Sequence, residues 1–353
     1  MPNHQILGPH LTEDGLTIRV FRPDAEKIEA IIGRRRPMSM AKIDPDGLFE
    51  VRVPRVKKIP SYKLNIHRNG RINTIRDPYS FQPTLGDLDL HLFAEGKHLQ
   101  IYNKLGAHVR KINGVTGVAF AVWAPHASGV SVVGDFNSWD GRVHRMRRLH
   151  GAGVWELFIP GIAAGMLYKF EIHSPVSVPF LKADPYAQFT EVPPDTSSIV
   201  YQSTYKFRDS KWIRQRASRE HFRQPLSIYE VHFGSWRRKI EQENQPFTYR
   251  EMAKPLADYV TQMGFTHVEF LPLKEHPYGP SWGYQVSYYY APSARYGNPD
   301  DLRYLIDYLH QRGIGVLMDW VPAHFPKDAW ALGRFDGSAL YEHLDPRKGQ
   351  HPD

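Results

Sequence analysis

The chain has 353 residues, a net charge of +8, 41% hydrophobic and 23% charged residues, and no cysteine. That length allows two or three domains with ample core, and the composition is that of a globular protein. Absence of cysteine excludes disulfides and thiolate metal sites and fits a reducing, cytoplasmic setting. No apolar run reaches membrane-spanning length, and Met1 to Gln5 has neither a basic nor an apolar leader region, so no membrane is expected. The basic clusters Arg34–Arg36, Lys57-Lys58, Arg145–Arg148 and Lys211–Arg223 are scattered, which fits solvated surface charge. A nucleic-acid partner is therefore not expected, and RNA binding stands last among the alternatives.

The first 200 residues repeat themselves in order. Leu7-Gly8-Pro9-His10 returns as Leu105-Gly106-Ala107-His108, and Phe21-Arg22-Pro23 as Trp123-Ala124-Pro125. The stretch from Phe49 to Pro54 returns from Trp155 to Pro160, Tyr62 to Ile66 from Tyr168 to Ile172, and Asp77-Pro78-Tyr79 as Asp184-Pro185-Tyr186. The offset drifts from 98 to 107, as small loop insertions make it, so two copies of one domain are expected. Thr17–Phe21 and Val118–Trp123 alternate sides, and Val130–Gly134 and Val154–Ile159 are short runs between Gly and Pro breaks. Each copy of about a hundred residues suits an immunoglobulin-like β-sandwich, over residues 1–103 and 104–205. Charge-rich, aperiodic residues 206–224 read as a linker.

From residue 225 to 353 the pattern becomes α/β. Leu226–Phe233 is strand-like. Thr248 and Glu251 form a capping box before a helix whose apolar face is Met252, Leu256, Tyr259, Val260 and Met263; Gly264 is its stop, and Pro255 predicts a kink or restart. His267–Leu271 is a second strand. Asn298 caps a second helix with Pro299 at its first position, Gly313 ends it, and Gly315–Met318 reads as a buried third strand. Strand–helix–strand–helix–strand implies a parallel sheet with right-handed crossovers.

Functional groups belong where the strands end. The first loop begins His232-Phe233-Gly234-Ser235-Trp236. The second, Pro272–Pro299, holds Tyr278, Trp282, Tyr284, Tyr288, Tyr289, Tyr290 and Tyr296. The third follows Asp319 and His324. Aromatic faces beside a carboxylate and an imidazole suit a sugar, whose C–H faces stack while its hydroxyls take directed bonds. Taken singly, the consecutive tyrosines 288–290 read equally as packing, Asp319 as a strand-end carboxylate, and His232 and His276 as supports. No His-x-His pair occurs, so no metal and no cofactor are expected.

In combination these residues carry a resemblance. Phe270–Pro277, Ser281-Trp282-Gly283-Tyr284-Gln285, Asp319-Trp320-Val321-Pro322-Ala323-His324-Phe325-Pro326, Phe335-Asp336-Gly337 and Leu340–His343 closely resemble the glycogen (1,4-α-glucan) branching enzymes of the α-amylase superfamily. Ile228–Arg237 looks like that family's first barrel strand. Gly134-Asp135-Phe136-Asn137-Ser138-Trp139-Asp140 resembles the signature of its carbohydrate-binding sandwich, and the upstream copy its extra N-terminal sandwich. The resemblance covers essentially the whole chain. It implies two tandem sandwiches followed by the first three βα units of an incomplete (β/α)8 barrel. It implies a retaining mechanism, with a carboxylate nucleophile, an acid and a glucan 6-hydroxyl as acceptor. Tyr284 would stack on the sugar beside the scissile bond, next to Trp282. Asp319 would be the supporting carboxylate, and His324 would bond that sugar's hydroxyls. Ala323 fits the small residue that branching enzymes place before this histidine.

The resemblance places the nucleophile Asp and acid Glu beyond residue 353, so no catalytic residue is assigned and the chain is expected to be a truncated form without branching activity. New α-1,6 linkages after incubation with amylose would overturn that. The expected partner is an α-1,4-glucan, and the expected state is a monomer. Two alternatives stand beside this reading. One is a non-catalytic α-glucan-binding protein, with Trp139 as a candidate contact. The other is a trehalose-releasing hydrolase, disfavoured by the duplicated sandwich.

Overall fold

The computed structural model describes residues 6–149, 151–218 and 223–350. By internal contacts the chain forms two compact units: residues up to Asp184 together with those from Arg334 onward, and Pro185–Gly333.

The first unit contains the first repeat copy and the second as far as Asp184, each as a β-domain. In the first, Gly8–Thr12, Gly15–Phe21, Leu48–Pro54 and Ala41–Asp44 form one antiparallel sheet, while Met38–Ser39, Lys27–Ile32, Tyr62–Arg68 and Arg71–Ile75 form the other. Alternate residues of both sheets, including Leu16, Ile18, Ile28, Phe49, Val53, Leu64 and Ile66, meet in one core, as the period of two along a strand requires. In the second copy, Arg147–Leu149, Val154–Pro160, Val115–Trp123 and Gly106–Ile112 form one sheet, and Gly129–Gly134, Leu167–His173 and Phe180–Lys182 belong to the other.

The recurring motifs do the same work in each copy. His10 Nε2 lies 3.2 Å from the Leu7 carbonyl, and His108 Nε2 lies 2.9 Å from that of Leu105. Tyr62 donates its hydroxyl to Asp77 at 2.5 Å, and Tyr168 to Asp184 at 2.5 Å. These hydroxyls and carboxylates are buried, so each satisfies the other.

A short connector joins the copies. Tyr79 donates to the Arg145 carbonyl at 2.8 Å, Phe81 packs edge-on against Phe158 at 4.8 Å, and Thr84 donates to Glu156 through both N–H and hydroxyl. Glu156 is also ion-paired to Arg147 at 2.9 Å, and Arg147 donates to the Phe81 carbonyl.

In the second unit the strands Ile228–Val231, His267–Phe270 and Gly315–Met318 form a parallel sheet in that order, with Ile228 opposite His267 and His267 opposite Gly315. Two helices, Tyr249–Gln262 and Pro299–Gln311, supply the crossovers. The expected capping box of Thr248 with Glu251 is present, and the expected Asn298 cap is also part of a box, with Asp301. Each helix ends on a positive-φ glycine: Gly264 at +77° with Phe265 N–H bonded back to the Val260 carbonyl, and Gly313 at +79° with Ile314 N–H bonded to that of Leu309. Val231, Phe233, Met252, Leu256, Val260, Val268, Phe270, Leu305 and Leu309 pack between sheet and helices.

Three expectations change. The first helix continues through Pro255 without a restart; its buried face against the sheet outweighs the one hydrogen bond that proline cannot donate. The third strand is not buried along its length. Leu317 and Met318 are 39% and 42% exposed, because among the described residues the helices cover one face of the sheet and this strand lies at its edge. Within the stretch read as linker, Ser210–Ser218 is helical, with Trp212 buried and stacked on His310 at 3.8 Å; residues 219–222 of that stretch lie outside the described residues. The tail from Arg334 groups with the sandwiches, where Phe335 and Asp336 are buried.

Candidate functional site

The parallel strands end side by side, and three loops leave them. The second loop folds as a small antiparallel pair, Lys274–Glu275 with Tyr288–Pro292. Glu275 locks its base. The buried carboxylate accepts from the Ala294 N–H at 2.6 Å, the Arg295 guanidinium at 2.5 Å and the His276 N–H at 2.9 Å. Burial pushes its carboxyl above the ordinary value against the pull of Arg295.

At the tip the chain turns sharply. Trp282 has φ +56° and Gly283 φ +87°. A Cβ on Gly283 would sit 2.2 Å from the Pro272 carbonyl oxygen, so the turn needs glycine on both counts. This turn leaves Trp282 54% exposed, with its ring 5.1 Å from that of His232 on the first loop. His232 is fixed in turn by Ser235, whose Oγ lies 2.6 Å from Nδ1.

Tyr284, Asp319 and His324 are brought together. The Tyr284 hydroxyl donates to Asp319 Oδ2 at 2.8 Å. That bond, with some burial, pushes the phenol up to about 12. His324 Nε2 lies 2.7 Å from the Tyr284 carbonyl. A carbonyl only accepts, so Nε2 carries the proton in this arrangement. Tyr284 and His324 are exposed and Asp319 is half-buried, so an acceptor carboxylate, an imidazole and aromatic faces share one accessible patch. Such a set matches the C–H faces and hydroxyls of a pyranose. Trp282 stands two residues before Tyr284 on the same loop, with its ring against His232.

Sequence reasoning missed two members. Lys274 donates to the Asp319 carbonyl at 3.2 Å, with its ammonium 4.1 Å from the Trp320 ring centre. Tyr289 donates to the His324 carbonyl at 2.9 Å. The tyrosine run drew attention to Tyr289, but nothing in the sequence separated it from Tyr288, which bonds to the Thr196 carbonyl instead.

Trp139 lies in the other unit. It is half-buried at φ +60°, and its indole N–H donates to Asp135 at 3.1 Å. The motif around it is a turn wired by Asn137, which takes the Gly134 N–H and donates to the Val132 carbonyl and His144. Among the described residues no three acidic, histidine or cysteine side chains gather as a metal site. No helix among them is long and apolar enough to cross a membrane.

Comparison with known proteins agrees with this layout. Residues 2–79 match the N-terminal domain of the alpha-1,4-glucan branching enzyme GlgB, residues 104–187 carbohydrate-binding module 48 (isoamylase N-terminal domain), and residues 255–338 the alpha amylase catalytic domain. A Salmonella typhimurium protein of alpha amylase type has a solved structure similar to this one, at 27% identity and TM-score 0.50 over 63% of this chain and 34% of that one. The chain is thus two β-modules leading into part of an α-amylase-type catalytic domain.

It is 54% identical to the 1,4-alpha-glucan branching enzyme GlgB of Myxococcus xanthus, over 99% of this chain and 48% of that protein. It is 52% identical to that of Paramagnetospirillum magneticum, over 99% and 47%, and 51% identical to GlgB 1 of Streptomyces coelicolor, over 99% and 44%. The chain belongs to the glycogen branching enzyme family of the α-amylase superfamily, and it spans about half the length of the curated relatives it matches.

Proposed function

We propose that this chain serves 1,4-α-glucan branching, the transfer of an α-1,4-glucan segment to a glucan 6-hydroxyl, and that residues 225–350 supply part of the donor-sugar wall of the site. The observation that carries the reading is the contact of Tyr284 with Asp319 and His324 beside exposed Trp282. In this reading the Tyr284 ring stacks on the sugar next to the scissile bond. Asp319 accepts from one sugar hydroxyl, and His324, whose Nε2–H is held by the Tyr284 carbonyl, offers its Nδ1 as acceptor to another. Because Tyr284 already binds both partners, a sugar meets an arrangement whose orientation is largely fixed before binding. The three parallel strands then correspond to the first three βα units of a (β/α)8 barrel. The relatives are named as branching enzymes, and the reading of this chain as part of such a site rests on the match to them over 99% of this chain.

Calorimetric titration with maltoheptaose tests the site. Tyr284→Ala, Asp319→Ala and His324→Ala are each expected to weaken binding by about tenfold, since each removes stacking or a charged or buried hydrogen bond. Unchanged affinity in all three removes the reading. The module match over residues 104–187 favours a second, compatible role in which that domain holds glucan through Trp139. Loss of glycogen co-sedimentation in Trp139→Ala, with the melting curve intact, supports it; full retention removes it.

A further inference from the structure

The segment from Asp319 to His324 belongs to no helix or strand, yet it carries both polar groups of the site. Its main chain is gripped at each end by the second loop. At the first end, the Asp319 N–H extends the parallel ladder by one bond to the Phe270 carbonyl at 3.0 Å. Beyond that residue the ladder stops, and a side chain takes over: Lys274 Nζ donates to the Asp319 carbonyl at 3.2 Å. At the far end, the Tyr289 hydroxyl donates to the His324 carbonyl at 2.9 Å. Between them, the Trp320 ring has the Lys274 ammonium 4.1 Å from its centre and the Tyr289 ring edge-on at 5.9 Å.

Both donors come from one small sheet. Glu275 pairs with Tyr288 and Lys274 with Pro292, with an irregularity between the two pairs, so Lys274 and Tyr289 each adjoin a member of the Glu275–Tyr288 pair along the chain. That pair is immobilised from beneath by the buried Glu275 carboxylate and its bonds to Ala294 and Arg295. Neither Lys274 nor Tyr289 bonds the Asp319 carboxylate or the His324 imidazole; each bonds a main-chain carbonyl. Lys274 and Tyr289 therefore fix the backbone that carries the functional groups without hydrogen-bonding either of them, although the Lys274 charge also attracts the Asp319 carboxylate.

We propose that Lys274 and Tyr289 are positioning residues that clamp the Asp319–His324 segment at both ends and so set the separation and direction of the Asp319 carboxylate and the His324 imidazole. The inference rests on the reading of those two groups as glucan-binding. A half-buried lysine over an indole is a strong clamp, because the cation–π contact and the hydrogen bond act in a partly desolvated place.

The test uses the full chain. Tyr289→Phe removes one hydroxyl, and Lys274→Met removes the charge and keeps the stem. Hydrogen exchange of peptides covering Asp319–His324 is expected to speed up by about three- to tenfold in each variant, with the remainder of the chain and the melting temperature unchanged. Maltoheptaose affinity is expected to fall by about fivefold in each, and Lys274→Arg, which retains a cationic donor, to restore most of it. Unchanged exchange in the segment overturns the clamp. So does faster exchange with unchanged affinity while Asp319→Ala still weakens binding, because the clamp would then position nothing the sugar uses. A uniform loss of stability without local change in exchange also overturns it, as a merely structural role. If Asp319→Ala and His324→Ala leave maltoheptaose binding unchanged, the glucan-site reading fails instead, and the exchange data alone decide whether the two side chains hold the segment.

Discussion

The Asp336 carboxylate is closed from solvent by His126, 210 positions earlier in the chain: the His126 main-chain N–H and Nδ1 lie 2.9 and 3.2 Å from the same oxygen, Oδ2. Its other oxygen accepts from the N–H and hydroxyl of Ser338. This fastens the tail after Gly333 onto the second sandwich, with Phe335 buried and Tyr341 edge-on to Trp123 at 6.1 Å. Asp336→Ala orphans these donors. It is expected to cost about 2 kcal/mol and to open the Arg334–Gln350 stretch to proteolysis, which a time course followed by mass spectrometry would read. Burial raises this carboxyl, but Ser338 and the His126 N–H outweigh it, so the folded pKa lies below 3.8. The tail's attachment should therefore be complete above that value and be lost as pH falls through the lowered one.

Arg147 and Glu156 form a buried ion pair where the two sandwiches join. Burial raises the Glu156 carboxyl, and Arg147 opposes the shift. Glu156→Leu strands the guanidinium in the interior and is expected to cost about 3–5 kcal/mol. Adding Arg147→Met should recover part of that loss, since the apolar pair removes the stranded charge while Thr84 and the Phe81 carbonyl still lose their bonds. Urea unfolding followed by tryptophan fluorescence gives the comparison, and a double variant no better than the single would contradict the account.

His144 accepts from Asn137 in the wired turn of the second sandwich. Burial, with Arg22 adding to it, pushes the imidazole down to about 3. A histidine kept neutral in the fold adds stability that is complete above its unfolded value near 6.5 and is lost as pH falls from there toward the folded one. The loss is roughly 1.4 kcal/mol per pH unit in that window. Stability measured at pH 7.5 and 5.5 should differ by about that much more in the native chain than in His144→Gln.

Gly283 separates Trp282 from Tyr284 at φ +87°, with the Pro272 carbonyl 2.2 Å from where a Cβ would stand. Gly283→Ala is expected to cost about 1–3 kcal/mol and to displace Tyr284 from Asp319. Maltoheptaose affinity should fall with it. Loss of stability without loss of affinity would show that the turn serves the fold alone.

Much of this was legible in the sequence because it is local. The capping box at Thr248 and Glu251 and the stop at Gly264 depend on residues three or four apart. The repeat motifs mark contacts that close within one copy: a histidine to a carbonyl three residues back, and a tyrosine to an aspartate 15 or 16 residues on. The candidate residues Trp282, Tyr284, Asp319 and His324 lie at strand ends, and the resemblance of their motifs singled them out. Lys274 did not, because a lysine that bonds a main-chain carbonyl 45 residues away leaves no pattern in the sequence.

The sequence by itself determined the duplicated β-domains and the βαβαβ order, since hydrophobic period, caps and turn residues are short-range properties, and it pointed to the family through the resemblance of its motifs. Only the tertiary structure decided which aromatic residue faces Asp319, which of three adjacent tyrosines holds His324, and that the tail from Arg334 belongs with the sandwiches. Those outcomes turn on how distant buried polar groups find partners, and a carboxylate such as Asp336 takes the donors that packing delivers to it, wherever they stand in the chain.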